Sequence, residues 1–199
     1  MKYTFKKDKF EIVKKALDPK IANFVYNYFL MKRQVAQTLF KYRYISPYAR
    51  DYGSWDDGQV PGTYSHYADI AMESLLLLCQ PVIEKHTKLK LAPTYSYARI
   101  YKQGDILKKH KDRFSCEISS TLNLGGDLWS IFVEGIKVNL KPGDMLIYKG
   151  EQLEHWREPF KGFECAQVFL HYNDMSKKKF KNNVFDNRMH LGLPAWFKK

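Results

Sequence analysis

The spacing of hydrophobic positions changes partway along the chain. Over residues 20–40, Ile21, Phe24, Val25, Phe29 and Val35 recur at helical intervals, and Asp18-Pro19 supplies an N-cap acceptor followed by proline at the first helical position. A second helix is predicted over residues 67–86, with Pro81 expected to bend or divide it. Between the two, residues 45–62 hold Pro47, Gly53, Asp56-Asp57-Gly58 and Pro61-Gly62. This stretch is too long for a simple connector and reads as a binding loop or lid.

From Pro93 onward the period shortens to two. Strands are predicted at 95–101, 118–124, 129–132, 137–140, 145–148 and 167–172. They are separated by turns at Gly125-Gly126-Asp127, Glu134-Gly135, Lys141-Pro142-Gly143-Asp144 and Lys161-Gly162. Two helices followed by many short strands predict an α+β domain in which helices cover one face of a double-sheet jelly roll. The expected organisation is one domain over 1–199. Residues 1–92 form the helical support and lid, 93–175 the β core and 176–199 a C-terminal tail.

Composition narrows this picture without redirecting it. A chain of 199 residues buries a core without staples, and an aromatic content of 16% suits packing on pleated surfaces. Cys79, Cys116 and Cys165 form no CxxC pair and no disulfide framework, which favours a reducing setting. The first residues carry no secretory apolar run, and Leu75-Leu76-Leu77-Leu78-Cys79 is too short to cross a bilayer. A soluble cytoplasmic protein is the expectation. The net charge of +12 is compatible with nucleic acid or an acidic substrate, but the lysines are scattered and no base-reading motif accompanies them.

Chemistry concentrates in His110-Lys111-Asp112. On an extended strand residues i and i+2 project to one side, so His110 and Asp112 can address one metal ion. Two imidazoles and one carboxylate occupy one face of a six-coordinate iron and leave the opposite positions open. The second imidazole must come from a distant segment, and both His155 and His171 follow the pair. Lys108, Lys109, Lys111 and Arg113 are expected to point outward from the opposite strand face. His66, His86 and His190 have no partner at ligand spacing.

The order Tyr101, Gly104, His110, Asp112, Ser120-Thr121-Leu122-Asn123-Leu124, Pro142-Gly143-Asp144, His155 resembles the iron(II)- and 2-oxoglutarate-dependent dioxygenases, in their prolyl-4-hydroxylase-like branch. Gln167-Val168-Phe169-Leu170-His171-Tyr172 and Phe185-Asp186-Asn187-Arg188 resemble the endings of small phage and marine microbial members, which makes a viral gene compatible with the sequence.

The resemblance implies a double-stranded β-helix, with His110, Asp112 and His155 as ligands of Fe(II) and 2-oxoglutarate as co-substrate. Ascorbate would serve as an added reductant, and the reaction would be hydroxylation of a C–H bond on a peptide or protein side chain such as proline. A nucleotide or nucleic acid is the alternative substrate, and a non-catalytic metal-binding jelly roll the alternative class.

The resemblance also places a basic residue near Glu164 and Cys165 to clamp the co-substrate, and neither residue can do so. Arg157 shares the parity of His155 and a guanidinium binds carboxylate in bidentate fashion, so it is the expected substitute. Lys161 ranks behind it and is expected to face solvent, and Arg99 is a third candidate. Tyr101 and Thr121 align as hydroxyl partners of the co-substrate. Trp129 and Trp156 flank the expected mouth, where they either grip substrate or pack in the core. Cys116 and Cys165 are expected as inert core residues.

Overall fold

The computed structural model describes residues 3–189 and 191–195, so His190 lies outside the described residues. A short helix, α1 (Phe5–Asp8), and a strand, β1 (Phe10–Val13), precede α2 (Pro19–Lys41). Next come β2 (Tyr64–Tyr67), α3 (Ile70–Thr87), β3 (Leu91–Lys102), β4 (Leu107–His110) and β5 (Ile118–Gly126). They are followed by β6 (Ile131–Val133), β7 (Ile136–Val138), β8 (Met145–Lys149), β9 (His155–Arg157) and β10 (Glu164–Asp174). Short 3-10 turns follow at Lys178–Asn182 and Val184–Asn187. Among the described residues no helix is long and apolar enough to cross a membrane.

The strands pair antiparallel in two sheets, a six-stranded one ordered β1-β8-β5-β10-β3-β2 and a four-stranded one ordered β4-β9-β6-β7. The N-terminal half does more than support the barrel. It supplies both edge strands of the larger sheet, β1 beside β8 and β2 beside β3.

Helix α2 starts as its sequence predicts, with Asp18 accepting from the Lys20 amide at 2.7 Å ahead of Pro19. Its buried stripe differs from the predicted one. Ala22, Val25, Phe29 and Ala36 face the sheet, whereas Ile21, Phe24 and Val35 are exposed. Small alanines allow close approach to β5, and the larger residues are displaced to the outer side. Helix α3 is capped by Asp69 and runs unbroken past Pro81. Pro81 lies exposed beside Leu77, where water can reach the carbonyl that loses its partner.

The main core lies between the helices and the six-stranded sheet, around Phe29, Met72, Leu76, Ile100, Leu122 and Val168. A second cluster, including Ile131, Val133, Leu146 and Tyr148, fills the space between the sheets. The C-terminal segment is tied back by a buried ion pair in which Arg188 Nη2 donates to Glu73 Oε2 at 2.8 Å. The turn at Pro142-Gly143-Asp144 is fixed from outside the barrel. Asp144 accepts from Lys14 Nζ and from the amides of Lys15 and Lys141, and Gly143 adopts φ +85 against the Leu17 carbonyl.

Candidate active site

Strands β4 and β9 of the smaller sheet lie side by side with His110 opposite His155. Their rings are 4.2 Å apart between centroids. Each Nδ1 lies against the backbone carbonyl two residues earlier, His110 on Lys108 at 2.7 Å and His155 on Leu153 at 3.1 Å. Those bonds place the proton on Nδ1 and leave each Nε2 lone pair free, the tautomer a metal ligand needs. Both Nε2 atoms face one oxygen of Asp112, at 3.7 Å from His110 and 3.5 Å from His155. The three donor atoms lie within 4.8 Å of one another.

The other oxygen of Asp112 is held separately. Ser119 Oγ lies 2.8 Å from Oδ2 and 2.9 Å from the Cys116 carbonyl, and His171 Nδ1 approaches the same hydroxyl at 3.0 Å. His171 therefore stands behind the triad, acting on Asp112 through Ser119. Burial acts to raise the Asp112 pKa, but His155, His171 and Ser119 outweigh it and hold the carboxyl at about 2. Burial pushes the His171 imidazole down to about 4, so it stays neutral. Burial, with the neighbouring His155, also lowers His110. Gly150 is required at its place. Its carbonyl accepts from the Asp112 amide at 2.8 Å, and a Cβ there would run into Asp112 Oδ2, Cys116 O and Ser119 Oγ.

His110, Asp112, His155 and His171 line a cavity of about 390 Å³ whose wall also includes Tyr95, Tyr97, Arg99, Tyr148 and Phe169. Lys111 and Arg113 line it too, contrary to the expectation that they point away. Strand β4 ends at His110, so alternation of sides stops there and residues 111–113 follow an irregular path. Burial, reinforced by Asp112, pushes the Cys116 thiol up to about 11, so it does not compete as a thiolate ligand.

Arg157 is 1% exposed, on the strand that carries His155; it does not line the cavity, and neither do Tyr101 and Thr121. Its Nη1 donates to the Trp129 carbonyl at 2.6 Å, and the guanidinium lies 4.9 Å from the Trp129 ring. Nε and Nη2 are buried and have no hydrogen-bond partner. Burial lowers its pKa, and Tyr101, Cys165, Tyr148 and Arg99 are the groups that act on it electrostatically. Two orphaned donors on a buried cation are what a carboxylate would satisfy.

Arg99 is differently placed. It bonds Asp57 at 2.5 Å, Gln59 at 2.6 Å and the Tyr101 hydroxyl at 3.2 Å, so its charge is already matched. Tyr101 packs edge-on to Trp129, and Thr121 Oγ1 donates to Gln167 at 3.3 Å. Lys161 is exposed, and Glu164 accepts from Tyr26 and Arg33 on α2. Neither tryptophan lines the cavity. Trp129 packs with Tyr101 and Phe160, and Trp156 stacks on Phe132.

Sequence reasoning missed Ser119, Tyr148, Asp57 and Gln59. Asp57 and Gln59 lie in the turn-rich 45–62 segment, and their contact with Arg99 brings that segment to the cavity wall. The alternation of β5 could have signalled Ser119, since it shares parity with Thr121.

No protein-family model matches the sequence, and no curated protein sequence matches it. Solved structures do match. A prolyl-4-hydroxylase from Pseudomonas putida superposes with TM-score 0.60 at 14% identity, over 85% of this chain and 95% of that one. A viral collagen prolyl hydroxylase from Paramecium bursaria Chlorella virus-1, solved as a 2-oxoglutarate complex, gives TM-score 0.60 at 10% identity over 85% and 98%. A non-heme α-ketoglutarate-dependent epimerase from nogalamycin biosynthesis gives TM-score 0.61 at 12% identity over 85% and 80%. The chain thus has the double-stranded β-helix fold of the 2-oxoglutarate oxygenases, as its motif order implies.

Proposed function

We propose that the protein is an iron(II)- and 2-oxoglutarate-dependent dioxygenase that hydroxylates a C–H bond on a peptide or protein side chain, with proline the first candidate. The observation that carries this is the pairing of a His110–Asp112–His155 face with the unmatched buried cation of Arg157. The residues fit both groups, since two imidazoles and one carboxylate suit a non-heme iron and the orphaned guanidinium suits a dicarboxylate. The branch of the resemblance and the two prolyl hydroxylases among the structural neighbours favour a peptide.

When bound, the iron and 2-oxoglutarate supply the oxidising power: one oxygen atom of dioxygen enters the C–H bond and the other enters succinate, with loss of CO2. The chain's own residues bind and orient. His110, Asp112 and His155 would hold the metal by one side, Ser119 keeping the second Asp112 oxygen turned away. Arg157 would anchor the co-substrate's far carboxylate, and Tyr101 and Thr121 would be its hydroxyl partners, their present partners being Arg99 and Gln167. Tyr148, edge-on to His155 at 4.8 Å, closes the floor with its phenol kept protonated by burial. Asp57 and Gln59 hold Arg99 in place on the cavity wall.

Anaerobic loading with Fe(II) and 2-oxoglutarate, then oxygen, with succinate as the readout, tests the proposal. Succinate above a His110→Ala control is expected, increased by a peptide substrate. Equal succinate from both proteins across a broad peptide panel would sink it.

A further inference from the structure

The charge around the cavity is unbalanced in one place. Among the described residues its wall carries three cations, Arg99, Lys111 and Arg113, against one acid, Asp112. A divalent metal on the triad and a doubly charged co-substrate on Arg157 would cancel one another together with Asp112. Arg99 is matched by Asp57. Arg113 is ion-paired with Asp186 at 3.5 Å, its side chain 56% exposed and its guanidinium over the Tyr95 ring at 5.1 Å. Lys111 is exposed and has no acidic partner within ion-pair distance among the described residues. The excess positive charge therefore sits at the mouth, beside the metal ligands and open to solvent.

A nucleobase would need a free aromatic face on which to stack. Three of the four large rings on the wall already have a guanidinium over them, and the fourth, Tyr148, is buried edge-on to His155. Arg99 lies 4.9 Å from Tyr97 and 5.5 Å from Phe169, and Arg113 lies over Tyr95. A second cavity of about 300 Å³ shares Tyr97 with the first and is lined also by Arg50, Ser54, Asp56, Asp57 and His66, with Arg50 paired to Asp56 and Asp57 to Arg99. The two abut, so an extended chain can cross from one into the other.

Building on the oxygenase reading, we propose that the substrate is an acidic peptide. A carboxylate flanking the reacting residue binds Lys111 and Arg113, and the neighbouring residues extend over Tyr97 into the second cavity. Lys111 and Arg113 thereby select the substrate by charge, at a site distinct from the co-substrate anchor at Arg157.

The test uses the Fe(II)-loaded protein under anaerobic conditions. Calorimetry first measures 2-oxoglutarate binding. Fluorescence anisotropy then compares two labelled peptide pools that share a degenerate centre and differ only in Glu or Gln flanks, with single-stranded oligonucleotides as a third arm. The Glu-flanked pool is expected to bind about tenfold more tightly, as two charge-assisted contacts allow. Lys111→Gln/Arg113→Gln should abolish the preference, and Lys111→Glu/Arg113→Glu should transfer it to a Lys-flanked pool. Melting temperatures of these surface variants check that they fold. Equal binding of the two pools with 2-oxoglutarate bound, or preference for the oligonucleotide, overturns the acidic-peptide inference alone. Absence of 2-oxoglutarate binding overturns the oxygenase reading and this inference with it.

Discussion

Replacing Arg157 by Met separates a ligand anchor from a structural cation, because the two roles predict opposite signs. The side chain is fully buried, with one hydrogen bond to Trp129 and two unpaired donors. If it waits for a carboxylate, its removal costs the complex about 2–5 kcal/mol, or roughly 30-fold to several thousand-fold in 2-oxoglutarate affinity. At a co-substrate concentration of 100 Kd the wild type gains about 2.7 kcal/mol, which in a chain of this size raises Tm by about 5–11 °C. At that same concentration the variant gains under about 1 kcal/mol.

The free protein behaves oppositely. Met fills much of the same volume and removes an uncompensated buried charge, against loss of one charge-assisted hydrogen bond worth about 1.5–3 kcal/mol. Its Tm should hold or rise. Differential scanning fluorimetry of metal-loaded protein, with and without 2-oxoglutarate, reads both quantities. A variant that melts several degrees lower when free, yet keeps the full ligand-induced shift, would refute the assignment of Arg157.

Other expectations follow from the same geometry. Ser119→Ala frees Asp112 Oδ2 and strands His171 Nδ1, so metal affinity should fall about 10–100-fold; a change within about twofold, measured by metal titration, counts against the relay. Gly150→Ala forces a methyl into Asp112 and the Cys116 carbonyl, and atomic absorption should show protein without metal; full stoichiometry contradicts the close approach. Asp69 caps α3 and also accepts from Tyr28 at 2.7 Å and from Lys32. Burial raises its pKa, but bonds from His66 and Lys32 outweigh this and hold it well below 3.8 when folded. Its contribution is therefore complete above the unfolded value of 3.8 and is lost as pH falls toward the folded value. Asp69→Asn should cost about 3–5 kcal/mol at neutral pH, and denaturant titrations should show the gap narrowing below pH 3.8; a gap that widens on acidification is inconsistent with that sign.

The barrel was legible where strands are long and alternate. The β3, β5, β8 and β10 segments carry their pattern in Tyr, Ile, Leu and Val, and the Gly and Pro turns bracket them. Strands β4 and β9 left little trace, because Leu107-Lys108-Lys109-His110 and His155-Trp156-Arg157 are short and rich in charge. Their pairing is long-range, and pairing alone makes them strands. β1 and β2 were hidden for the same reason. The HxD spacing brought out His110 and Asp112, but local pattern could not separate His155 from His171, since both lie on buried strands. Only the register that sets His155 opposite His110 and His171 opposite Ser119 gives each its place. The inward path of Lys111 depends on where β4 stops, which no periodicity reports.

The edges of the six-stranded sheet have a consequence for how the chain is made. Both outer strands, β1 and β2, belong to the first third of the sequence, while β8 and β3, which they cover, come later. During synthesis the covers therefore emerge first and have nothing to cover. Phe10 meets Tyr148 only after the whole segment between them has left the ribosome. Until then two strands with unmatched backbone groups wait in solution, a state open to wrong pairing between chains. A fragment holding only residues 93–175 would face the reverse hazard, a barrel with both rims of its main sheet uncovered. Slow, late-committing folding and poor solubility of that fragment are the expected costs of building a sheet from its borders inward.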